Sequence, residues 1–340
     1  MGVTADDVAR IAGVSRATVS YVVNDGPRPV SKETAERVRE VIRQTGYQPN
    51  ALARNLRLQR SKTIGLIVPD THNPYFPEVA RGIESIAFER GYSVMLCHSA
   101  SDLDREIQYV NMFHAQRVPG VIWIPGTNIF EPYHKLKGYG IQTVVIDRLV
   151  PHEAVPAVVA DNVEGGNLAT QHLIDLGHRR IGYISRPVDL SHSSGRFEGY
   201  QTTLKKNGIP FDDSLVVKGG FILEDGRRAV QELLAIENPP TAIFAYNDIM
   251  AIGGLRALHE AGLHVPDDFS LVGFDDIAQS AFTCPALTTV HLPKFEMGQN
   301  GAKLLIALIE KQKPPEEVLT PLSVRLIVRE SSGAVSPQHS

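Results

Sequence analysis

Long apolar runs are missing from this 340-residue chain. None approaches eighteen consecutive apolar residues, so no membrane-spanning helix is expected. Cysteine is scarce: Cys97 and Cys284 stand far apart and suggest neither a disulfide framework nor a metal knuckle. Nothing at the start resembles a secretory signal, which makes the cytoplasm the expected compartment. Nucleotide cofactors lack an evident cradle, because GxGxxG and the phosphate-loop signature do not occur. There is no GxSxG elbow and no HExxH pair. The twelve histidines are scattered, and His172 and His178, six apart around Gly177, are poorly spaced as ligands on one helix. We therefore assign no catalytic residue, cofactor or metal, although a carboxylate pair in an α/β cleft could still catalyse.

What is present is an uneven charge. Residues 1–62 hold eleven Lys or Arg against six acids, a net +5, so the remainder carries −9 of the overall −4. A basic end joined to an acidic body suggests a polyanion-binding module beside something that need not touch the polyanion. An ordinary solvated surface is the plainer account of the same charges. The length allows two or three domains, and 43% apolar residues support sizeable cores.

The stretch GVSRATVSYVVN (13–24) follows a short amphipathic segment. Thr4 can cap a first helix, with Asp7 as the acidic member of a capping box. Val8, Ile11 and Ala12 then share one side at helical spacing. Gly13 ends that helix, and Ser15 can cap a second running to about Val23. Val19, Val22 and Val23 point inward there, leaving Arg16, Ala17, Ser20 and Tyr21 on the other side. Two short helices with a tight turn make a helix-turn-helix reader. A third helix, capped by Ser31 and ended by Gly46, closes the small core through Ala35, Val38, Val41 and Ile42. A helical cap on an enzyme is the alternative.

Asn50 can cap a further helix of roughly two turns in ALARNLRL, where Leu52 and Leu56 share a face. So short a helix needs a surface to fold against, because nucleation is costly and few bonds repay it. Arg54, Arg57 and Arg60 could approach phosphates while the leucines wedge between base steps from the minor groove. Packing of the leucines onto a core is the competing account.

From Thr63 onward, apolar runs alternate with helical patterns, as in parallel sheets covered by helices. Strands are expected at 64–70, 92–99, 120–125, 143–147, 157–161, 180–185, 214–220, 242–248 and 271–276, with TTVHLP (288–293) leading into the last helix. Intervening helices fit 77–90, 104–116, 165–176, 196–207, 226–235, 248–261 and 296–309. The expected domains are 1–49, a hinge and linker at 50–62, and a body at 63–340. That body divides into a first subdomain (about 63–161 and 293–320) and a second (about 162–292 and 321–340). Ligands of such sheets sit outside the carboxyl ends of the strands. Asp70, Asn73, Asp147, Arg148, Asp161, Asn247, Asp248, Asp275 and Asp276 collect there, with Asp248 and Asp276 expected to be structural. Tyr75, Phe76 and Phe221 could cover the flat faces of a small ligand, and Arg196 could fork to its oxygens.

Taken together, VARIAGVSRATVSYVVN (8–24), GYQPNALARNL (46–56), IGLIVPDTHNPYF (64–76), the long run 161–185, GRFEGY (195–200), GFDD (273–276) and PALTTVHLP (285–293) resemble the LacI/GalR family of bacterial transcriptional regulators over essentially the whole chain. The resemblance implies an N-terminal all-α helix-turn-helix domain. It also implies a periplasmic-binding-protein-like α/β body of two Rossmann-like subdomains. It implies a homodimer, each subunit placing its second helix in the major groove of one half-site of a near-palindromic double-stranded operator. Arg16 and Ala17 match the positions that most directly select bases, and Tyr21 a third, where many relatives carry arginine. Tyrosine offers one hydroxyl and a ring in place of a bidentate fork, so base contacts there should differ. Ser15, Thr18, Ser20 and Asn24 match helper positions near phosphates, although Thr18 and Ser20 could equally serve local backbone bonds, and Thr4 is counted among the DNA-binding residues. Asn50 and Ala53 match hinge positions, and Leu56 the minor-groove leucine.

In the body, Tyr75, Phe76, Asp147, Arg196, Phe221, Asn247 and Asp275 match positions commonly lining an effector cleft, with Arg148 a weaker candidate. The implied effector is a small sugar. A purine between Phe76 and Phe221, acting as corepressor, is the alternative, and a carbohydrate receptor or enzyme with an incidental helical module is a second. The tail after Ser332 has no leucine heptads, so a dimer is expected, without an added tetramerisation helix.

Overall fold

A computed structural model describes residues 3–24, 29–47, 61–126, 130–148, 155–186 and 195–335. The expected hinge helix lies outside them. The chain forms two compact units, residues 1–61 and residues 62–340.

The first unit holds α1 (Ala5–Ala12), α2 (Arg16–Asn24) and α3 (Lys32–Thr45). Thr4 caps α1 reciprocally with Asp7: the Asp7 amide donates to the threonine hydroxyl, and the Thr4 amide donates to the Asp7 carboxylate at 3.0 Å. Gly13 follows in the left-handed region at φ 63°, which glycine adopts without steric cost. The Ser15 hydroxyl accepts from the Thr18 amide at 3.1 Å and so starts α2. Val8, Ala9, Ala12, Val19, Val38 and Val41 form the core, and the Arg37 guanidinium ties α3 to the Ala12 carbonyl. One expectation fails: Ile11 is 51% exposed, and Ala9 takes its inward place. The stripe of this eight-residue helix runs through positions 8, 9 and 12, the i, i+1, i+4 face, and leaves position 11 outside.

The second unit contains two sheets. The first has the order β2 (Ser93–His98), β1 (Thr63–Val68), β3 (Gly120–Trp123), β4 (Gln142–Ile146), β5 (Ala157–Val158), all parallel. Helices α4 (Tyr75–Glu89), α5 (Leu103–Ala115) and α6 (Phe130–Gly138) lie between these strands in sequence. The second sheet has the order β11 (Arg325–Ile327), β10 (Thr288–His291), β9 (Ser270–Asp275), β8 (Ala242–Ala245), β6 (Ile181–Ser185), β7 (Val216–Lys218). Its helices are α7 (Asn162–Asp175), α8 (Gly195–Lys206), α9 (Leu223–Leu234) and α10 (Asp248–Glu260). The expectation of parallel sheets needs one correction, because β11 runs antiparallel to β10 at the edge.

The last long helix, α11 (Lys294–Glu310), packs on α4, β3 and β4 and so returns the chain to the first sheet. The chain therefore crosses between lobes after β5, between β10 and α11, and near Leu322. Two crossings are stitched together: the Asp161 amide donates to the Leu322 carbonyl and the Leu322 amide to the Val159 carbonyl. Three helix pairs meet through reciprocal glycines. A Cβ on Gly82 would collide with the Phe295 carbonyl and one on Gly298 with that of Val79, joining α4 to α11. Gly166 and Gly199 do the same for α7 and α8, and Gly226 and Gly253 for α9 and α10.

Candidate reading helix and effector cleft

In the first unit, Arg16 and Ala17 are exposed on the first turn of α2, while Ser20 and Tyr21 are half-buried one turn later. Arg16 pairs loosely with Asp6 at 3.5 Å, both well exposed. Such a contact is weak enough to exchange for another anion. The hydroxyls of Ser15 and Thr18 lie 2.9 Å apart, so both are engaged in the cap. Thr4 is likewise spent on its capping box. Asn24 closes α2. Asn50, Ala53 and Leu56 lie outside the described residues.

In the second unit, a cavity of about 320 Å³ opens at the carboxyl ends of both sheets, within the range of small-molecule sites. Tyr75, Phe76, Asp147, Arg148, Arg196, Phe221, Asn247 and Asp275 all line it. So do His72, His98, Ser101, Arg186, Ile222 and Tyr246, which were not singled out from the sequence. A larger hollow of about 530 Å³ beside the start of α11 is bordered by Glu78, Lys294 and Lys303 but has none of these strand-end walls.

The backbone is strained where the cleft is built. Ala100, Ser101, Asp147 and Asp275 all have positive φ and all line the cavity. Side-chain-bearing residues rarely adopt that region, and such outliers concentrate where geometry is fixed for a purpose. Asp147 follows β4 at φ 78° and Asp275 ends β9 at φ 108°, so each lobe lines the cavity with a positive-φ aspartate.

Arg196, on the first turn of α8, is the hub. Its Nε donates to Asn162 at 2.9 Å, its Nη1 to the Tyr246 carbonyl at 2.6 Å, and its Nη2 faces Asp275 at 3.3 Å. The guanidinium also stacks on Phe274 and Tyr246, at 3.8 and 4.4 Å from the ring centroids. Burial works against this charge, but Tyr246, Asp275 and Asp147 outweigh it and hold the guanidinium above its ordinary value. For Asp275 the balance falls the other way. Burial pushes its carboxyl up to about 7, against the pull of Arg196. From the crossing into α11, the buried Lys294 ammonium donates to the Asp275, Asp276 and Leu292 carbonyls and pins that strand end.

Tyr75 stands edge-on to Phe76 and is 3% exposed, yet its hydroxyl finds no partner. Burial, reinforced by Asp147 and Asp275, holds that phenol well above its ordinary value. A neutral, buried, unsatisfied hydroxyl in a cavity wall is placed to bond a ligand oxygen. The Asn247 side chain caps α10 through the Met250 amide at 2.9 Å, leaving its amide nitrogen for the cavity. Asp70 accepts from the His72 and Asn73 amides at 2.9 and 3.1 Å, a turn that sets the rim.

Other strand-end acids serve the scaffold. Asp161 caps α7 through the Glu164 amide. Asp248 is fully buried and accepts from the Ile277 amide and the Ser280 and Thr289 hydroxyls. Asp276 holds Arg329 and His291. His178 is spent on Thr241 and Ser270.

Among the described residues no helix is long and apolar enough to cross a membrane. Residues 4–50 match the family described as bacterial regulatory proteins, lacI family, and residues 170–332 match the periplasmic binding protein-like domain. The chain is 38% identical to the ribose operon repressor of Escherichia coli (strain K12), covering 89% of this chain and 92% of that one. The structure of the lac repressor dimer bound to operator and the anti-inducer ONPF aligns with a TM-score of 0.86 at 29% identity, over 98% of this chain and 100% of that one. A complex of the transcriptional regulator CelR with cellobiose aligns at 0.74 and 33% identity, over 97% and 99%. A reading helix, a strand-end cleft and full-length similarity to repressors converge: the chain belongs to the LacI/GalR family of bacterial transcriptional regulators, and is a ligand-responsive DNA-binding protein.

Proposed function

We propose that this regulator is a homodimeric repressor that binds a near-palindromic operator and senses a small sugar in the interlobe cleft. One observation carries the reading. A single chain holds a capped helix with an exposed Arg16–Ala17 edge and, in a separate unit, a cavity ringed by aromatic walls and strand-end polar groups. Arg16, Ala17 and Tyr21 read base edges, while Ser15, Thr18, Ser20, Asn24 and Thr4 set the helix against the backbone. Asn50, Ala53 and Leu56 form the hinge, whose paired copies pry open a central base step. That unstacking costs a few kcal/mol and is offset only by contacts in the bent complex. The hinge at 50–62 joins the reader at 1–49 to the sensor at 63–340.

Asp147, Asp275, Asn247 and Arg196 offer the mix of acceptors and forked donors that sugar hydroxyls take, with Tyr75, Phe76 and Phe221 against the ring. Solved relatives described as holding ribose and cellobiose support this class. Dimerisation accounts for the exposed Leu96 on the edge strand β2 and for Phe88 and Phe282, which are more than four-fifths exposed. The effector acts only through unequal affinity for the two lobe arrangements.

The test is selection of bound DNA from a random pool by the purified protein, repeated with sugar and purine panels. A near-palindrome whose affinity falls steeply with salt and responds to a sugar is expected. Binding confined to nonspecific DNA under every ligand condition defeats the reading, and a response to purines alone replaces the sugar with a nucleobase.

A further inference from the structure

We propose that Arg148 and Arg186 form an anion subsite in the effector cleft, so that the effector is a saccharide bearing a phosphate or carboxylate group. This rests on the sugar reading above and narrows it.

The cleft contains three guanidiniums, and they are not alike. Arg196 has partners for its guanidinium in Asp275, Asn162 and the Tyr246 carbonyl. Arg186, directly after β6, lines the same cavity with only 8% of its surface exposed. Its Nε is buried without any hydrogen-bond partner. Its guanidinium carbon lies 5.5 Å from the centroid of the Tyr246 ring, the ring on which Arg196 also rests. That contact supplies attraction but no acceptor. Arg148, directly beyond the strained Asp147, lines the cavity beside it. Among the described residues neither Arg148 nor Arg186 forms an ion pair.

The two charges also feel one another. Burial, and next the charge of Arg186, lower the Arg148 guanidinium below its ordinary value, and Asp147, Tyr246 and Glu106 oppose this without reversing it. A buried guanidinium with an orphaned N–H and a half-buried one lining the same cavity, without an ion-pair partner for either among the described residues, form an unfavourable arrangement of like charge. An anion with two or three oxygens removes the defect, since each planar fork can donate to it in pairs. A neutral sugar supplies hydroxyl acceptors but no charge. The remaining walls suit the ring of the same molecule: the unsatisfied Tyr75 hydroxyl, Asp275 and Asn247 face its hydroxyls, and Phe76 and Phe221 its flat sides.

The experiment uses the full chain. Ribose with ribose 5-phosphate, and glucose with glucose 6-phosphate and gluconate, are titrated calorimetrically beside hypoxanthine. Inorganic phosphate is titrated by thermal shift at constant ionic strength. At least one anionic member should bind tenfold or more tighter than its neutral parent, and the phosphate and carboxylate arms show which group is preferred. In Arg186→Gln and Arg148→Gln that ratio should fall at least tenfold, and Arg186→Lys, which keeps the charge, should recover part of it. Inorganic phosphate should raise Tm in the wild type and lose that effect in both glutamine variants. A neutral sugar binding as tightly as its anionic counterpart, or glutamine variants with an unchanged ratio, overturns the subsite and leaves the sugar reading standing. Hypoxanthine binding without any sugar overturns the sugar reading itself, and silence across the whole panel overturns both.

Discussion

Nη2 of Arg196 lies 3.3 Å from Oδ1 of Asp275, and neither side chain exposes more than 5% of its surface. Removing one member of such a pair strands the other. Arg196→Ala is expected to destabilise the fold by about 3–5 kcal/mol in urea denaturation. Arg196→Lys should be intermediate, because a point charge replaces the fork that reaches Asn162, Tyr246 and Asp275 together. Equal stability of the alanine variant and wild type would contradict the pairing.

Asp275 makes stability depend on pH in an unusual direction. Its carboxyl titrates at about 7 in the folded protein, whereas an unfolded aspartate titrates near about 3.9. Across roughly pH 4 to 7 the folded state holds a proton that the unfolded chain has released. This group therefore contributes stability that is lost as pH rises through that window, with no further change above it. Asp275→Asn removes the dependence. The Tm of the variant minus that of wild type should become more positive from pH 4.5 to 7.5, and a constant difference would show that Asp275 does not titrate there.

Asp248 sits behind the cleft and should behave as a structural clamp. Truncation to alanine orphans the Ile277 amide and the Ser280 and Thr289 hydroxyls at once. The expected loss is about 3 kcal/mol or more, since each buried unsatisfied group costs about 1–3 kcal/mol. Asp248→Asn, which keeps an acceptor, should lose less. Chemical denaturation distinguishes the two.

At the reading helix, Tyr21→Ala should relax base selection at one position in each half-site and leave the slope of affinity against salt nearly unchanged. A base-edge contact carries sequence information, whereas a phosphate contact carries the salt dependence. Uniform weakening across all sequences would move Tyr21 to the phosphate class.

Leu56→Ala should weaken binding to the selected operator by tenfold or more, with effector affinity altered little. The proposed wedge would act only in a kinked complex, so the effector cleft should not feel its loss. Operator affinity equal to wild type would reject that role for Leu56.

Most strands were legible because continuous apolar runs bounded by turn residues survive burial on both faces, as at Ile64–Val68 and Leu271–Phe274. Two elements were not. Helix α6 is the nine residues FEPYHKLKG, where Pro132 reads as a breaker although proline is tolerated in a first turn. Strand β11 is three residues long and half-exposed at a sheet edge, too short to show a period. Family resemblance and the strand-end rule together brought all eight expected cleft residues to one cavity. The same rule points to Arg186, which follows the end of β6, and to Tyr246, which follows the end of β8. Neither was selected, because the resemblance directed attention to matched positions and a lone arginine after a strand reads as a surface charge. Its lack of an acceptor appears only when burial and partners are known together.

The reciprocal glycines at 82 and 298, 166 and 199, and 226 and 253 leave backbone against backbone in three helix pairs. At those points no side chain separates the helices, so each pair is expected to move as one piece. If the proposed effector closes the cleft, the expected motion is a hinge of whole lobes, with the bending in the three short crossings, one of which leads into Lys294. A glycine-to-alanine change far from both the cleft and the reading helix would therefore distort the lever between them and uncouple sensing from DNA release.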